Sequence, residues 1–166
     1  VIEYPAVEAL GPPPFRFAPI SEGLESPAFS LPFKLLTTLM VWGGVIWFTL
    51  LFAGMVGRVK IRSAAMVWFG AAALLMLATW WHIIRSRTRL TAEALTQTWL
   101  WNKRMELREL AYGKLIRVRG LDWLIAPRLY VRTLMGKYAV FYAADSTMIA
   151  EFERLVKDLA AFRRMR

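Results

Sequence analysis

Residues 35–57 read LLTTLMVWGGVIWFTLLFAGMVG and residues 63–84 read SAAMVWFGAAALLMLATWWHII. Neither run contains Asp, Glu, Lys or Arg. At about 1.5 Å per residue, each is long enough as a helix to cross the roughly 30 Å hydrocarbon core of a bilayer. The connection between them is short and basic, with Arg58, Lys60 and Arg62. The reading is a transmembrane helical hairpin with spans at about 35–57 and 63–84. It divides the chain into an arm, residues 1–34, and a small domain, residues 88–166.

Small residues fall inside both spans: Gly43, Gly44 and Gly54 in the first, Gly70 and Ala71 to Ala73 in the second. Such residues let helix backbones approach closely, so these positions are expected to pack helix against helix. Two helices leave most of their surface to lipid or to another protein, and eight tryptophans suit broad interfaces. Lys34 marks one membrane boundary. At the end of the second span, Trp80 and Trp81 followed by Arg85, Arg87 and Arg89 form an aromatic belt and a basic anchor. His82 is the only histidine. Without a second ligand it reads as an interfacial polar group and not as a haem or metal ligand.

The arm holds seven of the eight prolines. That spacing argues against helix or sheet interior and for extended, polyproline-like segments. Phe15, Phe17, Phe29 and Phe33 are its apolar points. Two readings fit: a disordered leader, or an arm ordered by lying across a neighbouring subunit with these phenylalanines as anchors. A cleavable secretory signal is not expected here, because the first apolar run lies behind this arm.

Net charge is +10, distributed as −2 before residue 35, +3 in the connection and +9 from Arg85 onward. On a membrane-tethered domain, that excess suits anionic lipid head groups or an acidic partner. No zinc-finger, helix-turn-helix or RNA-binding motif accompanies it, so nucleic acid is not an expected partner. The connection carries three basic residues. The outer flanks carry Lys34, Arg85, Arg87 and Arg89, then Lys103 and Arg104, which favours both termini in the cytoplasm.

Beyond the second span the period changes. Leu95, Gln97, Trp99 and Trp101 alternate with Thr96, Thr98 and Leu100 before a turn at Asn102-Lys103; Ile116 and Val118 alternate with Arg117 and Arg119. Leu129 to Leu134 and Tyr138 to Tyr142 flank Met135-Gly136-Lys137, a hairpin turn. From Ala144 the period is helical, with Ile149, Phe152, Leu155, Val156, Leu159 and Phe162 on one face and Asp145 or Ser146 at the start. The expected domain is α+β, an antiparallel sheet or partial barrel closed by a C-terminal helix. Trp99, Trp101, Trp123 and Tyr130 are expected in core and interface packing. Arg117, Arg119, Arg128 and Arg132 fall on outward or strand-edge positions, where they meet solvent, phosphate or carboxylate.

Chemistry is sparse. There is no cysteine, no glycine-rich phosphate loop and no serine in a glycine-flanked elbow. Glu106 and Glu109 lie among Arg104 and Arg108 as a solvated charged stretch, and Asp122 beside Trp123 has no evident partner in sequence. No catalytic residues, cofactor or metal are assigned.

Arg89-Leu90-Thr91-Ala92-Glu93-Ala94-Leu95 and Leu110-Ala111-Tyr112-Gly113-Lys114-Leu115-Ile116 carry a family resemblance. With the final helix, they resemble the bacterial pleckstrin-homology-like domain that follows a two-helix membrane hairpin, over Leu35 to Arg166. Ala111 stands where that family has proline, and Asn102 where a turn glycine is common. The resemblance implies a two-pass protein of the bacterial inner membrane whose domain docks to proteins or membranes. The resulting expectation is a noncatalytic accessory or assembly subunit, joined to other membrane subunits through its hairpin and tail. The alternative is a tethered module binding anionic lipid head groups or an acidic peptide.

Overall fold

The computed structural model describes residues 14–55 and 63–165. The basic connection with Arg58, Lys60 and Arg62 lies outside the described residues. A strand β1 (Leu24–Pro27) precedes two helices, α1 (Leu31–Met55) and α2 (Ser63–Arg85). Six further strands follow: β2 (Arg87–Leu90), β3 (Ala94–Thr98), β4 (Lys103–Glu106), β5 (Leu110–Ile116), β6 (Arg128–Thr133) and β7 (Tyr138–Tyr142). Helix α3 (Ser146–Arg164) closes the chain. The strands form two antiparallel sheets, β1-β2-β3-β4 and β5-β6-β7.

The presence of β1 corrects the reading of the arm as separate over residues 14–34; residues 1–13 lie outside the described residues. Leu24 pairs with Leu90 and Pro27 with Arg87, so the first strand lies before the helices and its partner directly after them. The helix pair is an insertion between two neighbouring strands. Prolines permit this because β1 is a four-residue edge strand with Pro27 at its last position, where a missing N–H costs no ladder bond. Upstream, residues 14–20 alternate exposed and buried, turning Phe15, Phe17 and Pro19 inward. Phe15 packs against Phe162 with ring centroids 5.5 Å apart, and the Arg154 guanidinium sits 4.7 Å from the Phe17 ring. Arg154 also donates to the Ala18 carbonyl. This part of the arm belongs to its own domain's core and needs no neighbour to order it.

Helix α1 starts four residues earlier than predicted. Ser30 caps it, its Oγ accepting from the Phe33 N–H at 3.4 Å, and Pro32 occupies the first turn, where its lack of an N–H is harmless. Inside the helices, Thr37, Thr38, Thr49 and Thr79 each donate to the carbonyl four residues back, at 2.7–2.8 Å. Their hydroxyls are therefore satisfied without water.

Two predicted strands end early, because a strand lasts only as long as its partner. β3 stops at Thr98, since β2 has no residue to pair beyond Arg87; Trp99 to Asn102 become the turn. β5 stops at Ile116, since β6 begins only at Arg128, after Pro127; residues 117–127 form a connecting loop. The β6–β7 hairpin falls where predicted, with Gly136 at φ +83°.

The core lies between the sheets and under α3. Leu90, Leu95, Leu110, Leu129, Val131 and Phe141 come from the sheets, and Met148, Phe152, Leu155 and Leu159 from the helix. Gly113 lets α3 close on β5: a Cβ there would lie 3.4 Å from Val156 Cγ2. The outer edge of β7 is covered by side chains. Thr88 Oγ1 donates to the Tyr142 carbonyl at 2.6 Å and Lys103 Nζ to the Val140 carbonyl at 3.3 Å, joining one sheet to the other.

Candidate functional site

Two surfaces stand out, the outside of the helix pair and the outer face of the second sheet. Within the pair, α1 turns Lys34, Thr38, Val41, Val45, Phe48 and Phe52 toward α2, a spacing of three and four residues that makes one helical stripe. Polar and aromatic contacts join the helices along it. Lys34 Nζ donates to the Ile84 carbonyl at 3.1 Å, at the negative end of α2. Trp80 Nε1 donates to Thr38 Oγ1 at 2.8 Å, with its ring edge-on to Trp42 at 5.8 Å. Phe48 meets Phe69 at 4.9 Å.

The small residues expected in this seam mostly lie elsewhere. A Cβ at Gly44 would lie 3.9 Å from Met76 Cε, but one at Gly43, Gly54 or Gly70 meets nothing within 4 Å. Ala71 is exposed as well. Aromatic side chains fill the seam instead. Gly43 and Gly54 are eleven residues apart, close to three turns, so they share an outward stripe with the exposed Trp47 and Leu50.

The expected interfacial set also separates. Trp81 is half exposed with the Arg85 guanidinium 4.0 Å above its ring. Trp80 is internal to the helix pair. Arg87 and Arg89 belong to β2 and not to the helix, both exposed and within 4 Å of Glu25 on β1. Between helix and strand stands Ser86, which donates to the Thr98 carbonyl at 2.6 Å.

On the second sheet, the pairing register sets three outward rows: Tyr112, Arg132 and Tyr138; Lys114, Tyr130 and Val140; Ile116, Arg128 and Tyr142. Tyr130 stands between Tyr112 and Tyr138, at 6.4 Å and 6.3 Å. The face is thus tyrosine-rich and basic, with no carboxylate in any row. Alternation identified Arg128 and Arg132; the register, which sequence alone could not fix, adds the tyrosines. Arg117 and Arg119 are elsewhere. Arg117 pairs with Glu153 of α3, and Arg119 is exposed in the 117–127 loop without an ion pair among the described residues.

Several candidates for chemistry resolve as ordinary surface. Arg108 pairs with Glu106 at 2.6 Å, and Asp122 and Glu109 are exposed. A cleft of about 800 Å³ beside Phe15 and Phe17 is lined by Arg16, Arg104 and Arg108 with Glu93 and Glu106, a mixed-charge lining with one arginine in excess. Among the described residues, no three His, Cys, Asp or Glu side chains gather as a metal site. Burial lowers the Lys103 pKa, its ammonium lying 5.3 Å from the Trp99 ring. Trp101 and Trp123, expected in packing, are 68% and 62% exposed. Comparison of the chain with family models, curated proteins and solved structures gives no match.

Proposed function

We propose that this chain is a noncatalytic, two-pass accessory or assembly subunit of a bacterial inner-membrane protein complex. Its helix pair packs against partner helices, and its sheet domain docks on the cytoplasmic side. The observation that carries this reading is the outward stripe of Gly43, Trp47, Leu50 and Gly54. It is apolar, offers close backbone approach at two levels and is uncovered among the described residues.

Membrane insertion is supported by length, composition and exposure together. Both helices are long and apolar enough to cross a bilayer, and large side chains such as Leu39, Trp68 and Leu74 are open around them. In water, apolar surface of that extent would drive aggregation. The seven-strand order, four then three, with a closing C-terminal helix supports the pleckstrin-homology-like reading, the helix pair being inserted between the first two strands. The basic tyrosine face suits an acidic partner segment, since Arg128 and Arg132 offer guanidinium groups beside flat, amphipathic rings.

Gentle extraction followed by mass measurement tests the proposal. The chain should leave the membrane in an assembly well above its own 19.1 kDa. Gly43→Leu with Gly54→Leu, at positions where an added Cβ meets nothing within 4 Å among the described residues, should leave its fold intact and release it from that assembly. A wild-type chain that migrates alone under conditions preserving other complexes would overturn the reading.

A further inference from the structure

Two loops leave the domain at the end where the helices enter it. Arg87, two residues beyond α2, pairs with Thr98, so the Trp99–Asn102 turn emerges beside the end of α2. Ser30, which caps α1, donates from Oγ to the Leu124 carbonyl at 2.6 Å, which fixes the 117–127 loop beside the start of α1. Each loop exposes a tryptophan and a leucine: Trp101 with Leu100, and Trp123 with Leu121. Exposed Arg119 lies beside the second pair. The β6–β7 turn with Met135 lies at the end of those strands away from Arg128 and Tyr142, which are on the helix side, and is separated from Asn102 by a groove that both border; Tyr142 stacks on Phe29 at 5.6 Å.

No free linker separates helices from domain. The Ala28 N–H donates to the Ser86 carbonyl at 3.1 Å, joining entry and exit directly to the β1–β2 ladder. The loops therefore stand at a fixed level relative to the spans.

We propose that these two loops form a membrane-surface seat. Trp101 and Leu100 on one side of the helix pair, and Trp123 and Leu121 on the other, enter the head-group region of the bilayer that the helices cross, and Arg119 meets lipid phosphate. Tryptophan suits this depth because its ring is apolar and its indole N–H needs a polar partner. The seat rests on the membrane reading of the helices and extends it: the domain lies down on the lipid surface, with the tyrosine face of the second sheet left to its side.

The absence of cysteine makes site-directed spin labelling direct. Full-length protein in vesicles of phosphatidylethanolamine and phosphatidylglycerol would carry one label at a time, through Asn102→Cys, Asp122→Cys, Met135→Cys or Leu50→Cys. The first two positions are exposed neighbours of the tryptophans and leave them in place. The measurement compares collisions with oxygen, which concentrates in lipid, and with a water-soluble nickel chelate. Labels at 102 and 122 should favour oxygen over chelate relative to 135, and should move to the aqueous behaviour of 135 when Trp101→Ser and Trp123→Ser are added. If 102 and 122 match 135 while 50 remains lipid-like, the seat is wrong and the spans stand. If 50 is freely reached by the chelate, the membrane reading fails and the seat with it.

Discussion

Replacing Phe15 by alanine should loosen the segment that ties the N-terminal arm to the domain. Phe15 is 4% exposed and shares a tilted ring contact with Phe162 on α3. Truncating a buried phenylalanine costs about 3–5 kcal/mol when the site cannot collapse. Here the segment can also peel away, held then only by Phe17, Pro19 and the Arg154 contacts, so about 3 kcal/mol is the expected loss. That corresponds to roughly a 100-fold rise in the open population. Arg16, exposed between the two buried phenylalanines, provides the assay. Trypsin cleavage after Arg16 requires local opening, so at low protease its rate follows the open population. The variant should be cut about 100-fold faster at that bond. Protection of the wild type should not change on dilution, because the cover is intramolecular. A wild type cut rapidly and no slower than the variant would refute the packing. Protection lost on dilution would instead place the segment on a neighbouring chain.

Other perturbations test the helix seam and the joint between the sheets. Trp80→Phe keeps an aromatic ring, though a smaller one, and removes the N–H donated to Thr38, so the hydrogen-bond part of its cost should be about 0.6–1.7 kcal/mol by unfolding in detergent, the range for interhelical hydrogen bonds; Thr38→Val in the same background should add little. The Lys103 pKa is lowered in the folded chain by burial, so between that value and the ordinary 10.5 the unfolded chain binds more protons. Stability should therefore gain a rising contribution as pH increases through that window, read as a shift in denaturation midpoint, and Lys103→Met should remove that contribution.

The apolar helices were legible because their signal is local: each is a long run whose composition alone sets its length and period. The β6–β7 hairpin and the buried face of α3 were legible for the same reason. The placement of β1 was not. Leu24 to Pro27 is a short edge strand among prolines, and what makes it a strand is β2, reached only after both helices. The ends of β3 and β5 were missed because partners, not propensities, terminate them. Small residues in the spans suggested packing within the pair, but a helix surface does not declare which neighbour it meets. Trp80 and Phe48 took the internal seam, leaving Gly43, Gly54 and Gly70 outward. The tyrosines of the second sheet became a surface only once the register aligned Tyr112, Tyr130 and Tyr138.

In the proposed arrangement the helices cross a membrane while both their outer ends remain joined to one domain on one side. Single cysteines at Val59, between the helices, and at Met135, on the far turn of the domain, test this in intact cells with a membrane-impermeant thiol reagent. The cysteine at 59 should be labelled from outside the inner membrane, and the one at 135 only after the cells are opened. Labelling of both positions from the same side would contradict it.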